Sequence, residues 1–383
     1  MFSSTNLGRL LTAFPAGVFQ NEVKESQADR YAKRCTSRDL LVTLLLGHLQ
    51  QASSLRSLTA MSQVIDEHQY HLNARSVPRS TLSDALNKRS VSPFRKAAEH
   101  MLKCVAGQQR RQLGRMVSLI DSTSITLRGP GFDEWTLGNK TRITQGLKIH
   151  TGFDPVQLAP TYINITPVNV NDMTDALRMP IEPNMTYVFD KGYCDYGWWH
   201  ELHVAGAYFV TRLKSNANVQ LSHVHSHPLS GTSVSADEIV QFGRRQNAFQ
   251  GTPVRRITVK VDGWKHPLIL ITNDMSSPPE DLADLYKQRW QIELFFKWIK
   301  QHLKLKRFFS FSENAVRLQI YSAVITYLLL HFFHTRSGHW ESMFDLTRRL
   351  SCVWFDRPLT RRNQALERKS LEKLKAAQGS LQL

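Results

Sequence analysis

The sequence predicts a mixed α/β protein in which a β-rich middle lies between two helical regions. Residues 28–112 carry apolar side chains at helical spacing, and residues 40–50 (LLVTLLLGHLQ) are predicted to form a buried helix. Short apolar runs of strand length, among them MVSLIDSTSITL and MTYVFD, follow from residue 116. Helical spacing returns near residue 274. We therefore expect an α/β core between an all-helical N-terminal domain and C-terminal helices.

The chain of 383 residues is strongly basic. Its 49 Lys and Arg against 32 Asp and Glu give a formal charge of +17 and a pI near 9.9, which favours a polyanionic partner, first of all nucleic acid. The longest apolar run, residues 323–333, is too short to span a bilayer, so we expect a buried helix and no membrane partner. The absence of a secretory signal pattern and four widely spaced cysteines favour a cytoplasmic location.

Residues 1–112 are expected to form the helical domain and to bind DNA. Within it, residues 77–89 (VPRSTLSDALNKR) predict a helix with Ser80 or Thr81 as its N-cap. This helix could be the second helix of a helix-turn-helix motif, whose N-terminal residues contact DNA bases. A solvated amphipathic helix fits the same pattern. The candidate DNA contacts are Arg79, Ser80, Thr81, Lys88 and Arg89.

The rest of the chain divides into four predicted parts. Residues 113–214 form the first part of the α/β core, and residues 215–273, rich in strand-like runs, form a β-rich insertion. Residues 274–335 complete the core with helices. Residues 336–383 form a basic helical region that could contact DNA or a partner subunit, although a solvated helix is an equal alternative.

Two aspartates follow apolar runs of the core. Asp121 comes after VSLI and Asp190 after TYVF, so each carboxylate lies at or near the end of a predicted central strand. In α/β sheets this is where ligands commonly bind. Either aspartate alone could be a simple turn former.

A polar stripe runs along the predicted helix YKQRWQIELFFKWIK, residues 286–300. At about 100° per residue, Tyr286, Arg289, Glu293 and Lys300 fall within a sector of about 60°, while most of the circumference is apolar. Burying such groups without partners costs several kcal/mol, so the stripe must meet counter-charges, a metal or a phosphate. The alternative is an internal ion-pair cluster in which Arg289 and Lys300 hold Glu293.

The spacing of these four residues is the signature Y-x2-R-x3-E-x6-K. Together with Asp121 in DST, a G-x-K-x-H run that ends at His150, and Asp190 in D-x-G-Y, it makes residues 116–335 resemble the DDE transposases of prokaryotic insertion sequences, specifically the insertion-sequence-four family. The resemblance implies an RNase H-like catalytic core interrupted by a β-rich insertion. One departure is Lys191, where the family often has Arg, so the bidentate phosphate contact of a guanidinium would be lost.

The resemblance also implies the chemistry of the site. Asp121, Asp190 and Glu293 would be the catalytic ligands of two Mg²⁺ ions, or Mn²⁺ as a substitute, because in-line displacement at phosphorus uses two ions held by oxygen donors. Tyr286, Arg289 and Lys300 would bind DNA phosphates. Relatives with this signature form hairpins and flip a base, and the resemblance makes Trp264 the candidate that stacks in the place of that base. The alternative is that Trp264 only caps a β-hairpin.

The function implied is cut-and-paste transposition. The protein would bind the terminal inverted repeats of its element, pair two ends as a homodimer, nick, form hairpins and join the ends to target DNA. The alternatives are an inactive protein that binds DNA ends and an RNase H-like nuclease without strand transfer. His-rich runs at residues 200–203 and 223–227 lack zinc-ligand spacing. Four other acidic residues could replace an assigned ligand, namely Asp154, Asp172, Asp175 and Asp195.

Overall fold

The computed structural model describes residues 5–111, 115–227, 231–243, 249, 251–302, 308–337, 343–351 and 353–356. Its N-terminal part is helical, as predicted. A 3₁₀ helix, Gln63–His68, lies between the fourth and fifth helices. The α-helices are α1 (Asn6–Leu11), α2 (Ala16–Glu25), α3 (Ser37–Leu49), α4 (Leu55–Ser62), α5 (Gln69–Leu72), α6 (Arg79–Lys88) and α7 (Ser92–Gln109).

The middle of the chain forms one sheet of nine strands within the described residues. The strands are β1 (Met116–Thr126), β2 (Gly146–Asp154), β3 (Ala159–Pro167), β4 (Met185–Phe189), β5 (Tyr208–Arg212), β6 (Val219–Ser226), β7 (Val234–Phe242), β8 (Val254–Val259) and β9 (Leu268–Thr272). Their order is β3-β2-β1-β4-β5-β9-β8-β7-β6. The pairs β1–β4 and β4–β5 are parallel, and the other pairs are antiparallel. The predicted mixed α/β architecture is confirmed.

Besides the 3₁₀ helices Leu137–Asn139 and Lys191–Tyr193, seven further α-helices follow α7 in the part of the chain that the structure describes. They are α8 (Asp133–Thr136), α9 (Asp172–Ala176), α10 (Tyr196–Val204), α11 (Pro279–Gln288), α12 (Trp290–His302), α13 (Glu313–Ser337) and α14 (Met343–Ser351). The strand-rich residues 215–273 add β6 to β9 to the same sheet, because β9 pairs with β5. The predicted insertion therefore widens the central sheet, while the domain boundaries themselves stay predictions.

The two faces of the sheet bury different cores. Side chains alternate between faces along a strand. On β1, Val117 and Leu119 join the core that contains α11 to α13, whereas Ile120 joins the core around α10. Asp121 follows the same alternation and points to the α12 face.

Helix α13 joins the two ends of the fold. It packs against α3, α6, α7 and the short α1, and His48 Nε2 lies 2.9 Å from Ser322 Oγ. Residues Glu313–Arg336 are long and apolar enough to cross a membrane, but 89% of their most apolar window is buried inside the protein. The helix is the buried one that residues 323–333 predicted.

The start of α6 differs from the sequence expectation. Its N-cap is Pro78, with φ −58° and ψ 148°, so the predicted caps Ser80 and Thr81 lie inside the first turn. The proline ring fixes a φ that suits the entry into a helix, and no side-chain hydrogen bond caps the helix. As a result Arg79 and Ser80 are exposed at the helix start.

Burial of His331 on α13 makes stability depend on pH. Burial, and after it the nearby His334, lower the pKa of His331 from about 6.5 to about 4. The unfolded chain therefore binds more protons between these values, and the free energy of unfolding falls as pH drops through this window. Between pH 7 and pH 5 we expect a loss of about 2 kcal/mol from this group. Denaturant melts of the wild type and of His331→Leu at both pH values measure it, and equal losses in the two proteins would contradict it.

Candidate active site

Asp121 and Asp190 lie beside each other where the parallel pairing of β1 with β4 ends. Ile120 lies opposite Phe189, so Asp121, the next residue of β1, and Asp190, the first residue after β4, occupy neighbouring positions. Asp121 was expected at or near a strand end, yet β1 continues to Thr126 because β2 pairs with it there. Asp121 therefore lies in mid-strand, at the edge of the parallel segment.

Backbone hydrogen bonds hold both carboxylates. Asp121 Oδ1 accepts from Ser122 N at 2.8 Å, and Asp190 Oδ1 accepts from Lys191 N at 2.7 Å. Asp190 also caps the short 3₁₀ helix Lys191–Tyr193. Each aspartate therefore lies where its chain segment leaves the parallel part of the sheet, and its carboxylate is held by the amide of the next residue.

The predicted helix over residues 286–300 is two helices. Tyr286 lies in the last turn of α11, Arg289 at the junction, and Glu293 and Lys300 on α12. At the junction Arg289 N donates to Tyr286 O, and Ile292 N donates to Arg289 O, at 3.1 and 3.2 Å. These three-residue steps replace the four-residue steps of an α-helix, so the chain winds more tightly there. Helical spacing alone could not indicate this break.

A cleft of about 470 Å³ opens between β1 and α12. Asp121, Glu293 and Lys300 line it together, whereas Asp190 is not among its lining residues. Its other lining residues are Thr123, Phe296, Lys297, Gln301 and Ser122, although the Ser122 hydroxyl is directed away from α12 to Asp172. Lys297 was missed from the sequence, although it lies one helical turn after Glu293 and could have been found by that spacing.

Arg289 links two of the carboxylates. Its Nη1 lies 3.4 Å from Asp121 Oδ2 and its Nη2 2.8 Å from Glu293 Oε1. Arg289 and Glu293 therefore form the ion pair that the alternative interpretation of the polar stripe predicted. The guanidinium carbon also lies 6.0 Å from the ring centroid of Tyr286.

Negative charge accumulates around this guanidinium. Burial, mainly, and the charges of Glu293 and Asp190 raise the pKa of Asp121 to about 6, against the lowering effects of the Ser122 amide and Arg289. Burial and then the charge of Asp190 raise the pKa of Tyr286 to about 12. The carboxylates of Asp121, Asp190 and Glu293 are therefore close enough to influence one another, with a buried phenol beside them.

These donors fit a divalent cation. Carboxylate oxygens are the ligands that Mg²⁺ prefers, and a bound cation would stabilise the ionised form of Asp121, whose pKa is raised mainly by burial and further by the charges of Glu293 and Asp190. In the described ranges no three acidic, His or Cys side chains converge closely enough to hold a metal as they stand. Because Arg289 bridges Asp121 and Glu293, a shared ion would require this side chain to move.

Two predicted residues are exposed and are not among the residues that line the cleft. Trp264, in the connection between β8 and β9, is 55% exposed, and the Arg212 guanidinium lies 5.7 Å from its ring centroid. Lys191 is exposed directly after Asp190. An indole with this exposure is available to a ligand, and its role stays a prediction.

The N-terminal candidates fall into two groups. Lys88, like Arg79 and Ser80, is exposed, and Thr81 is half-buried. Arg89 instead donates to the carbonyls of Ala28 and Cys35 and lies 3.1 Å from an Asp29 oxygen. The structure thus gives Arg89 a role in fastening the chain before α3, which leaves little of its guanidinium for DNA.

The four alternative acidic residues are engaged elsewhere. Asp154 accepts from the amides of Val156 and Gln157 in the β2–β3 turn, and Asp195 caps α10 by accepting from Trp198 N at 2.9 Å. Asp172 and Asp175 bond to residues on the opposite face of the sheet from the cleft. None of the four lines the cleft.

Comparisons with known proteins identify the family of the chain. The model of the Transposase DDE domain matches residues 112–329, and a domain of unknown function (DUF4372) matches residues 3–75. The transposase y4zB of Sinorhizobium fredii is 41% identical over 253 residues, which are 65% of this chain and 69% of that protein. The transposase for insertion sequence element IS5377 of Geobacillus stearothermophilus is 26% identical over 312 residues, 79% of this chain and 78% of that protein.

One solved structure shares the fold. The piggyBac transposase, in a synaptic complex with hairpin DNA, aligns with a TM-score of 0.50 over 93% of this chain and 82% of its own, at 13% identity. At this identity the likeness concerns the fold alone.

Proposed function

Because this chain belongs to the DDE transposase family, we propose that it performs metal-dependent cut-and-paste transposition on an RNase H-like core, as a member of the insertion-sequence-four group. The observation that carries the proposal is the cleft in which Asp121 and Glu293 face Lys300, with Asp190 beside Asp121 on the adjacent strand. In this proposal the substrates are the terminal inverted repeats of the element and a target DNA.

Asp121, Asp190 and Glu293 are proposed to hold two Mg²⁺ ions, or Mn²⁺ in their place. When bound, such ions activate the attacking oxygen and stabilise the leaving oxygen of an in-line displacement at phosphorus. Asp121 would help to hold these ions together with either of the other carboxylates, because it neighbours Asp190, which follows β4, and shares Arg289 with Glu293 on α12. Its Ser122 amide contact leaves Oδ2, the oxygen nearest Arg289, for this task.

Cationic side chains of the cleft are proposed to bind the DNA backbone. Lys300 and Lys297 lie on the cleft wall opposite β1, within reach of phosphates next to the scissile bond. Arg289 would exchange its carboxylate contacts for a phosphate when the ions bind, since a guanidinium matches phosphate oxygens in a bidentate manner. Tyr286, a phenol that is protonated at neutral pH, would donate a hydrogen bond from its hydroxyl group to a phosphate oxygen.

The remaining roles concern the DNA ends. Trp264 is proposed to stack on the helix in the place of a flipped base during hairpin formation, where a stacked base is worth about 1–3 kcal/mol. The exposed start of α6, with Arg79 and Ser80, is proposed to contact the terminal repeat. Pairing of two ends would require a homodimer, acting on DNA in the cytoplasm of a prokaryotic cell.

One incubation tests this function. The purified chain is mixed with labelled DNA that carries the inverted repeat flanking its gene, with and without Mg²⁺, and the products are resolved on a denaturing gel. Metal-dependent nicks followed by hairpins support the proposal. Binding without cleavage in Mg²⁺ or Mn²⁺ favours an inactive end-binding protein, and nicks that never give hairpins or joined products favour a nuclease.

Replacement of Lys300 should weaken the phosphate contact. For Lys300→Ala we expect end affinity to fall about tenfold, and the slope of log affinity against log salt to decrease by about 1, because one fewer phosphate is neutralised. Lys103→Ala, which removes the same charge from an exposed site on α7, is the control. Filter binding at several salt concentrations measures both, and equal slopes for Lys300→Ala and the wild type would remove Lys300 from the DNA interface.

A further inference from the structure

A polar cluster lies on the face of the sheet opposite to the cleft. Ser122, the residue directly after Asp121, points to this face, and its Oγ donates to Asp172 Oδ1 at 2.7 Å. Asp172 is the first residue of α9. The hydroxyl of the residue next to the proposed metal ligand is therefore fixed by a carboxylate that does not itself line the cleft.

Two side chains of β2 hold Asp172 in place. Lys148 Nζ lies 3.1 Å from Asp172 Oδ1 and donates to Val170 O at 2.8 Å. Lys148 therefore contacts both the turn that leads into α9 and the first residue of that helix. His150 Nδ1 lies 3.6 Å from the same carboxylate oxygen. These are the Lys and His of the G-x-K-x-H run, and His150 stands directly opposite Ser122 in the β1–β2 register.

Helix α9 is also fastened at its other end. Asp175, 1% exposed, accepts from Tyr162 Oη at 3.3 Å and from Asn164 Nδ2 at 2.5 Å, both on β3. His150 Nε2 lies 2.9 Å from Thr166 Oγ1 on the same strand. Because β2 and β3 both hold α9, the position of Asp172 is set by three elements of the sheet and not by a mobile loop.

The cluster also reaches the second aspartate. Tyr193, three residues after Asp190, is buried, and its ring centroid lies 6.1 Å from that of Phe189, the residue before Asp190. Burial, and then the charges of Asp172 and Asp121, raise the pKa of Tyr193. The 3₁₀ helix Lys191–Tyr193, which carries this phenol, packs against α9. One cluster therefore contacts the segment that follows each of the two strand-borne aspartates.

We propose that Asp172 is a positioning residue that fixes the Asp121 carboxylate through Ser122, supported by Lys148 and His150. This inference rests on the proposed function. Asp121 lies where β1 loses its pairing with β4, so β2 and the Ser122–Asp172 hydrogen bond hold the strand at this point. Misplacement of a reacting group by about 1 Å can cost about 10²-fold in rate, so a bond that fixes this segment acts on catalysis at a distance.

The experiment compares three single variants of the full chain. Ser122→Ala removes the donor, Asp172→Asn removes the charge at constant size, and Asp195→Asn makes the same chemical change at the cap of α10. Mn²⁺ binding in the absence of DNA is measured by electron paramagnetic resonance, together with the melting temperature and the rate of end cleavage. Because Mn²⁺ binding needs no DNA, it does not depend on the strand-transfer steps.

We expect Ser122→Ala and Asp172→Asn to weaken Mn²⁺ binding about tenfold, and to slow cleavage at saturating Mn²⁺. Asp195→Asn should leave both properties unchanged. If Asp172→Asn lowers the melting temperature while its Mn²⁺ affinity and that of Ser122→Ala equal the wild-type value, Asp172 is structural only and the inference is overturned. If the wild type itself neither binds Mn²⁺ nor cleaves, the proposed function fails first, which distinguishes the two results.

Discussion

Glu293→Gln is expected to abolish DNA cleavage while end binding survives. The substitution keeps the size of the side chain but removes the negative charge that α12 presents to the cleft. Metal ions contribute several kcal/mol to stabilisation of the transition state, and each 1.36 kcal/mol corresponds to tenfold in rate, so loss of a ligand should slow cleavage by about 10³-fold or more. End binding should remain because it depends mainly on cationic contacts with phosphates.

A matched control exists on the next helix. Glu313 pairs with Arg317 at 2.8 Å with the same i,i+4 spacing and the same distance as Glu293 with Arg289, but on α13. Glu313→Gln should cleave at the wild-type rate. Denaturing gels for cleavage and mobility shifts for binding measure both variants. Near-normal cutting by Glu293→Gln in Mg²⁺ would remove Glu293 from the metal site.

The second large effect concerns stability and a fully buried ion pair. Arg255 on β8 is 1% exposed, and its guanidinium bonds both carboxylate oxygens of Asp237 on β7, at 2.6 and 2.8 Å. It also donates to the carbonyls of Asp274 and Ser277 in the loop that precedes α11. Arg255→Ala would leave the Asp237 charge buried without its partner, which typically costs about 3–5 kcal/mol.

Thermal and denaturant melts would show this loss, with a decrease of the melting temperature on the order of 10 °C. The neighbouring Arg256 pairs with Glu238 nearer the surface, so Arg256→Ala should cost less than about 1 kcal/mol. Combining Arg255→Met with Asp237→Leu should restore much of the stability, because no unpaired charge is then buried. Equal stabilities of Arg255→Ala and Arg256→Ala would refute this assignment.

The two aspartates that follow apolar runs and the polar stripe at residues 286–300 could be predicted from the sequence, because both depend on local patterns. A carboxylate after an apolar run and four polar residues at helical spacing can be read within a short window. The parallel register that makes Asp121 and Asp190 neighbours could be expected only once both were placed on central strands. The lysine in the cleft at position 297 required no more than the same helical spacing.

Other features depend on contacts between distant segments and could not be read in this way. Arg89 resembled a DNA contact because a basic residue at a helix end is ambiguous until the carbonyls of Ala28 and Cys35 are placed beside it. The break between α11 and α12 at Arg289 could not be predicted from the sequence, because no Pro or Gly lies in residues 286–292. The partnership of Ser122 with Asp172 joins residues fifty positions apart. In each case tertiary packing decided which of several locally possible roles the residue took.

Helix α13 is synthesised late, although it packs against helices from the start of the chain. The side of α3 that carries His48 is covered by α13, which the ribosome synthesises roughly 200 residues after α7, about 10–40 s later at usual rates of translation. During that interval the nascent N-terminal helices have no permanent cover for this surface. The N-terminal helices pack against one another, but their packing is complete only when the far end of the chain has been made.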